Sequence, residues 1–168
     1  MSSDPEAITD AIERADDAFD YAGFGRPDFE DGIDQDDEWT VQLTKGCRNL
    51  EACRTLRDQD GFNGAVIELS FGAIERTLEG YLLWATNDSL EDFMDHTTVY
   101  DRAVDVGLLE DDTASSLEEL YGTNRTEHYY GGRVPTTQKE EAMIELAEAI
   151  HDFAVDQLRD SSVCLCRE

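Results

Sequence analysis

The chain has 168 residues and a formal net charge of −27, from 40 acidic and 13 basic residues. Its length predicts a single domain, and carboxylates spread along the whole chain are typical of a halophilic, cytosolic protein rather than an acidic mimic of nucleic acid, which would concentrate its charge. No apolar stretch reaches about 18 residues and no signal peptide opens the sequence, so we predict a cytoplasmic protein with no membrane segment.

The first 38 residues are predicted to form an acidic helix and a linker. Apolar residues recur at three- and four-residue steps from Ile8 to Phe19, which indicates an amphipathic helix over 5–22. Residues 23–37 contain glycine, proline and many acidic side chains, a composition typical of a loop. We therefore place the main domain at 39–160 and a C-terminal tail at 161–168.

Two helices follow, over about 39–60 and 62–85. The second helix carries apolar residues around most of its circumference, which predicts a central position in the fold. It contains Gly64, Gly72 and Gly80, each of which costs roughly 1 kcal/mol of helix stability relative to alanine. These glycines are understandable if another helix backbone comes close.

Three more helices complete the predicted domain. One lies within 87–107, with Ser89 as its N-cap and Gly107 as its stop. The next spans roughly 113–130, and the last begins at the capping box Thr137-x-x-Glu140. No alternating strand pattern is found. The predicted fold is all-α, an antiparallel up-and-down helical bundle with an extra N-terminal helix.

Cysteine and histidine positions do not indicate a metal site. Cys47, Cys53, Cys164 and Cys166 lack the common zinc spacing, and we predict reduced structural thiols, with a metal or redox role as the alternative. His96 is predicted to be partly buried and His151 to lie at the surface. No metal-ligand grouping and no phosphate-cradling glycine loop appear, so no metal and no cofactor are predicted.

The segment NRTEHYYGGR, residues 124–133, concentrates cations and rings in an otherwise acidic chain. On an α-helix, Asn124 and His128 continue the apolar stripe that contains Tyr121, with Arg125 about 80° away. Guanidinium, imidazole and phenol groups together suit a phosphate or a base. An ordinary helix end is the alternative, since cations there complement the helix dipole. The candidate ligand-binding residues are Asn124, Arg125, His128, Tyr129, Tyr130 and Arg133.

A second local excess of positive charge lies between residues 45 and 57. Lys45, Arg48, Arg54 and Arg57 share this stretch with a single acid, Glu51. Such a run of charged residues usually forms a solvent-exposed helix face. The alternative is that these cations join Arg125 and Arg133 around an anionic ligand.

Two stretches carry a resemblance to a known family. GFNGAVIELSFGAIERTLEGYLL resembles the second helix of HEPN domains, and RTEHYYGGRVPTTQKEEAMIELAEAIHDFAVDQL resembles their last segment. The resemblance covers about residues 39–160. It implies a four- or five-helix up-and-down bundle that forms homodimers. Some members are metal-independent ribonucleases that act as toxins in toxin–antitoxin pairs, and others are binding or adaptor modules that act with a nucleotidyltransferase partner.

The sequence departs from the catalytic signature of that family. Arg125 matches its arginine, but His128 follows after only two residues, whereas the signature places histidine further on, near Tyr130 and Gly131. The segment instead resembles a tyrosine-ending variant found in members not expected to cleave RNA. The resemblance thus implies a homodimeric module that binds RNA, a nucleotide or a nucleotidyltransferase-type partner. One alternative is a metal-independent endoribonuclease with Arg125 and His128 as catalytic residues, and another is a structural adaptor without a ligand site.

Overall fold

A computed structural model describes residues 5–20 and 28–158 of the chain. The described residues are helical or lie in turns and loops, with no strand among them, and they belong to two compact units, residues 1–30 and 31–168. In the first unit, helix α1 (Pro5–Phe19) has no buried residue. The predicted tail at 161–168, including Cys164 and Cys166, lies outside the described residues.

The second unit is built from five α-helices and two short turns within its described part. They are α2 (Glu38–Asp58), α3 (Asn63–Ala85), a 3₁₀ turn (Leu90–Phe93), α4 (Thr98–Asp105), α5 (Asp111–Asn124), a π-helical turn (Arg125–Tyr129) and α6 (Thr137–Gln157). The prediction of an all-α bundle is confirmed. None of the described helices has the length and apolar character that a membrane crossing requires.

Helix α3 packs closely against α2 at glycines. A Cβ atom on Gly80 would lie 3.0 Å from the backbone nitrogen of Leu43 and 3.0 Å from the carbonyl oxygen of Trp39. A Cβ on Gly72 would lie 2.9 Å from the Asn49 amide nitrogen. The predicted close approach of another helix backbone is thus confirmed at Gly80, whereas Gly72 and Gly64 lie beside the side chains of Asn49 and Pro135.

Contacts along α3 fix the direction of its other neighbours. Gly64 lies beside Pro135 and Thr77 contacts His151, so α3 and α6 run parallel. Glu68 contacts Asn124, whereas Phe71, one turn later, contacts Tyr121 in the preceding turn of α5. Helix α5 is therefore antiparallel to α3. The directions of α2, α3, α5 and α6 alternate, as an up-and-down bundle requires.

The helix predicted within 87–107 is divided in two. Ser89 caps the 3₁₀ turn, and Asp95 Oδ1 accepts hydrogen bonds from the backbone N–H and the hydroxyl of Thr97, at 2.8 and 2.9 Å. These local bonds give the backbone an alternative to a continuous helix, so α4 starts anew at Thr98. It ends before Gly107, whose φ of +74° is readily adopted by glycine.

Polar side chains lie in the core between α2, α3 and α6. His151 is 2% exposed, with Nδ1 2.7 Å from Thr77 Oγ1 and Nε2 3.4 Å from Cys47 Sγ. The prediction of a surface His151 is wrong, because this histidine finds buried polar partners on two other helices. Cys47 is disulfide-bonded, so the prediction of a reduced thiol is wrong there, whereas Cys53 is a free, buried cysteine.

Candidate functional site

The segment that follows α5 forms a π-helical turn instead of the predicted continuation of an α-helix. The N–H of Tyr130 donates to the carbonyl oxygen of Arg125 at 2.9 Å, five residues back, and the N–H of Arg133 donates to the carbonyl oxygen of Glu127 at 3.2 Å. A Cβ atom on Gly131 would collide with the carbonyl oxygens of Thr126 and Glu127. Because glycine has no side chain, the chain can turn tightly at Gly131 as it leaves the helix. Single π-turns occur frequently at functional sites.

The guanidinium group of Arg125 is held by aromatic side chains. Its Nε and Nη2 atoms donate to the phenolic oxygen of Tyr121 at 2.8 and 2.7 Å. Its central carbon lies 5.1 Å from the centroid of the Tyr121 ring and 4.3 Å from that of Tyr129, within the range of cation–π attraction. The hydrogen bonds to Tyr121 raise the pKa of Arg125 further, so the group keeps its charge.

Arg125 makes no ion pair with any described carboxylate. Five other arginines each pair directly with an aspartate or glutamate: Arg48, Arg54, Arg76, Arg102 and Arg133. Arg14, Lys45 and Arg57 also lack an ion pair among the described residues, but none of them contacts an aromatic ring there. In a chain with 40 acidic residues, Arg125 is thus a cation held by rings, with its charge left for another anion.

Two exposed tyrosines extend this surface. Tyr129 is 57% and Tyr130 80% exposed, and their rings meet edge to face with centroids 4.8 Å apart. Tyrosine is enriched at binding interfaces because it combines an apolar ring with a polar hydroxyl. We call Arg125, Tyr129 and Tyr130 the arginine–tyrosine surface.

His128 and Arg133 belong to a different cluster. His128 Nε2 lies 2.9 Å from Lys139 Nζ, and Nδ1 lies 3.1 Å from the carbonyl oxygen of Arg133. Because an ammonium group only donates and a carbonyl only accepts, these two contacts fit the tautomer of His128 that carries its proton on Nδ1. Glu127 accepts from Arg133 at 3.1 Å and from Lys139 at 3.2 Å, and these cations, Lys139 foremost, lower the pKa of its carboxyl group.

A cavity of about 150 Å³ opens between α3, α5 and α6, and its wall is almost entirely apolar. It is lined by Ile67, Phe71, Leu120, Thr123, Asn124, His128, Lys139, Ala142 and Met143. We call it the apolar cavity. Asn124 is buried there, with Nδ2 donating to Glu68 Oε1 at 2.6 Å. Arg125 does not line this cavity.

The six predicted ligand-binding residues are therefore divided by the structure. Arg125, Tyr129 and Tyr130 share one surface, Asn124 and His128 line the apolar cavity, and the Arg133 side chain is paired with Glu127. Sequence reasoning missed the roles of Tyr121 and Lys139. The four-residue step from Tyr121 to Arg125 was the available signal for the first, whereas Lys139 lies on the next helix and left no local signal.

The cations of α2 do not extend the site. Arg48 pairs with Glu51 at 2.5 Å and Arg54 with Glu148 at 2.9 Å. No contact joins Lys45, Arg54 or Arg57 to Arg125 within the described part of the chain. The solvated helix face is the interpretation that fits these pairs. The described residues also contain no group of three or more histidine, cysteine or acidic side chains placed to hold a metal ion.

Comparison with known proteins identifies the family. The family model described as "Domain of unknown function (DUF8154)" matches residues 3–166. The chain belongs to the DUF8154 family. Neither a curated protein nor a solved structure matches it significantly.

Proposed function

We propose that the protein is a HEPN-like helical module that binds single-stranded RNA or a nucleotide through the arginine–tyrosine surface, without cleaving it. The observation that carries the proposal is the state of Arg125, which pairs with none of the described carboxylates although the chain is strongly acidic. The family resemblance over residues 39–160 supports it, and the up-and-down bundle is compatible with that resemblance.

The chemistry of the surface suits a phosphate beside a base. Nε and Nη2 of Arg125 donate to Tyr121 and orient the group, and no described carboxylate pairs with it. Arginine binds phosphate oxygens through its outer N–H groups, and a pre-oriented fork loses less freedom on binding. Tyr129 and Tyr130 offer exposed rings, and base stacking on such a ring contributes about 1–3 kcal/mol. Stacking also persists at high salt, where phosphate attraction weakens.

The endoribonuclease alternative receives less support. A general base needs a free ring nitrogen within reach of the proton it removes. Both ring nitrogens of His128 have partners, Lys139 and the Arg133 carbonyl. His128 also lines the apolar cavity, whereas Arg125 does not. For the adaptor alternative, the same exposed rings would contact a nucleotidyltransferase-type partner or the second copy in a homodimer.

The test is binding of a fluorescently labelled, eight-nucleotide single-stranded RNA in molar KCl, followed by anisotropy. We expect saturable binding that Arg125→Gln weakens by roughly tenfold, since one charge-assisted contact is lost. Arg57→Gln is the matched control, because it removes the same charge from another arginine that pairs with no carboxylate in the described part of the chain. Absence of saturable binding, or an equal loss in both variants, contradicts the proposal.

A further inference from the structure

The apolar cavity is a second candidate binding site, separate from the arginine–tyrosine surface. Its floor is formed by Ile67, Phe71 and Met143, which are 3%, 3% and 8% exposed. Leu120 and Thr123 contribute from α5, and Ala142 lies on its exposed side on α6. Concave, mostly apolar sites with a few polar groups at one side are the usual form of small-molecule sites.

The size of the cavity limits the apolar part of a ligand. Its volume is about 150 Å³. An engineered apolar cavity of roughly 150 Å³ in another protein stays dry and binds benzene. A ring or a short branched chain therefore fits here, whereas a nucleobase would leave its polar edges without partners on an apolar wall.

A positive charge lies beside the apolar wall, where two lining residues meet, Lys139 and His128. Lys139 Nζ uses two of its three N–H groups, on His128 Nε2 and Glu127 Oε2, which leaves one for a ligand. Glu127 is the only carboxylate in this cluster, and it is shared by the two cations Arg133 and Lys139. Two positive charges, on Arg133 and Lys139, and one negative charge, on Glu127, leave a net charge of +1, which complements a monoanion.

We propose that the apolar cavity binds a small monocarboxylate with a benzene-sized apolar body. The body fills the space over Ile67, Phe71 and Met143, and the carboxylate accepts from Lys139 Nζ beside the apolar wall. This site does not depend on the proposed RNA or nucleotide binding.

The test uses benzoate and its neutral isostere benzamide, each titrated into the full chain while the methyl resonance of Met143 is followed by NMR. We expect both probes to shift this resonance saturably, with benzoate binding the tighter. Lys139→Met keeps the apolar stem and removes the charge, so benzoate affinity should fall roughly tenfold while benzamide affinity stays the same. Lys45→Met, at an exposed lysine of α2 outside the cavity, is the matched control and should change neither.

A second variant tests the place of binding. Ala142→Phe adds a ring on the exposed side of the cavity and should abolish the response to both probes without unfolding the chain. Unchanged benzoate binding in Ala142→Phe overturns the site, as does the absence of any Met143 shift in the parent protein. An equal loss of benzoate and benzamide in Lys139→Met overturns the assignment of a carboxylate ligand. Benzoate binding that survives in Arg125→Gln separates this site from the RNA-binding proposal.

Discussion

Arg125 and Tyr121 are joined by two hydrogen bonds, from Nε and Nη2 to one phenolic oxygen, at 2.8 and 2.7 Å. The ring of Tyr121 is itself fixed, since it meets Phe71 edge to face at 5.6 Å and lies 5.5 Å from the His96 ring. A core aromatic residue thus orients a partly exposed guanidinium. Tyr121 is therefore a positioning residue for any anion that Arg125 binds.

Tyr121→Phe should weaken binding of the labelled RNA without removing the cation. The variant keeps the ring and its packing but removes the acceptor, so Arg125 regains rotamer freedom that binding must then restrict. We expect an affinity loss of roughly threefold to tenfold, equivalent to about 0.7–1.4 kcal/mol. Anisotropy titration measures it.

Tyr81→Phe is the control for this substitution. The Tyr81 hydroxyl makes no hydrogen bond to a described residue, and its ring contacts Trp84 instead of Arg125. RNA affinity should be unchanged in Tyr81→Phe. A similar loss in both variants would show that Tyr121 does not act through Arg125.

The protein should bind single-stranded RNA without shortening it. His128 Nε2 lies 2.9 Å from the Lys139 ammonium group, so this nitrogen is not available to accept a proton from a ribose hydroxyl. Gel analysis of labelled RNA after prolonged incubation in molar KCl should show intact strands for the parent protein and for His128→Ala. Cleavage that is insensitive to chelators and lost in His128→Ala would restore the endoribonuclease alternative.

Much of the fold was predictable because it depends on local patterns. The apolar residues around most of α3 predicted its central position, and its glycines predicted the close approach of another helix backbone, which the structure shows at Gly80. Ser89 and Gly107 were recognisable as a cap and a stop. The cap of α6 is Thr136, one residue before the predicted capping box, because its hydroxyl accepts from the Lys139 N–H.

The predictions that failed depended on distant partners or on small local differences. His151 was assigned to the surface because acidic residues surround it in sequence, but its partner Thr77 is 74 residues away. His96, predicted to be partly buried, has a side chain that is 57% exposed and paired with Glu75. The π-turn was also missed, since an apolar stripe does not distinguish five-residue from four-residue bonding. That turn divided the predicted ligand residues between two surfaces.

Gly80→Ala should destabilise the bundle. The new methyl group would lie 3.0 Å from two backbone atoms of α2 and 3.2 Å from the Leu43 Cβ, and a backbone cannot move aside as a flexible side chain does. We expect a loss of about 1–3 kcal/mol in the free energy of unfolding, typical of overpacking. Urea unfolding followed by circular dichroism measures this change.

Gly122→Ala is the matched control for the same substitution in a helix. A Cβ on Gly122, in α5, meets nothing within 4 Å, so the alanine should raise the free energy of unfolding by about 0.5–1 kcal/mol. We expect the free energy of unfolding to fall in Gly80→Ala and to rise in Gly122→Ala. If Gly80→Ala were as stable as Gly122→Ala, the helices α2 and α3 would not pack as closely as described.

Tyr100 should make the protein more sensitive to alkali than a phenylalanine variant. Its side chain is fully buried, and its hydroxyl lacks a hydrogen-bond partner among the described residues. Burial, helped by the charges of Glu75, Tyr121 and Glu118, raises the pKa of Tyr100 above its ordinary value of 10.0. The folded state therefore keeps the phenol proton at pH values where the unfolded state releases it.

The sign of the pH dependence follows from this difference. Below the unfolded pKa both states are protonated, and Tyr100→Phe should change the free energy of unfolding by less than about 1 kcal/mol, since an unpaired buried hydroxyl contributes little. Above the pKa of Tyr100 in the unfolded state, the free energy of unfolding of the parent protein falls by about 1.4 kcal/mol per pH unit relative to that of the variant. Urea unfolding of both proteins near pH 7 and near pH 11 measures the change. Parallel losses of stability would mean that the Tyr100 hydroxyl reaches water in the folded protein.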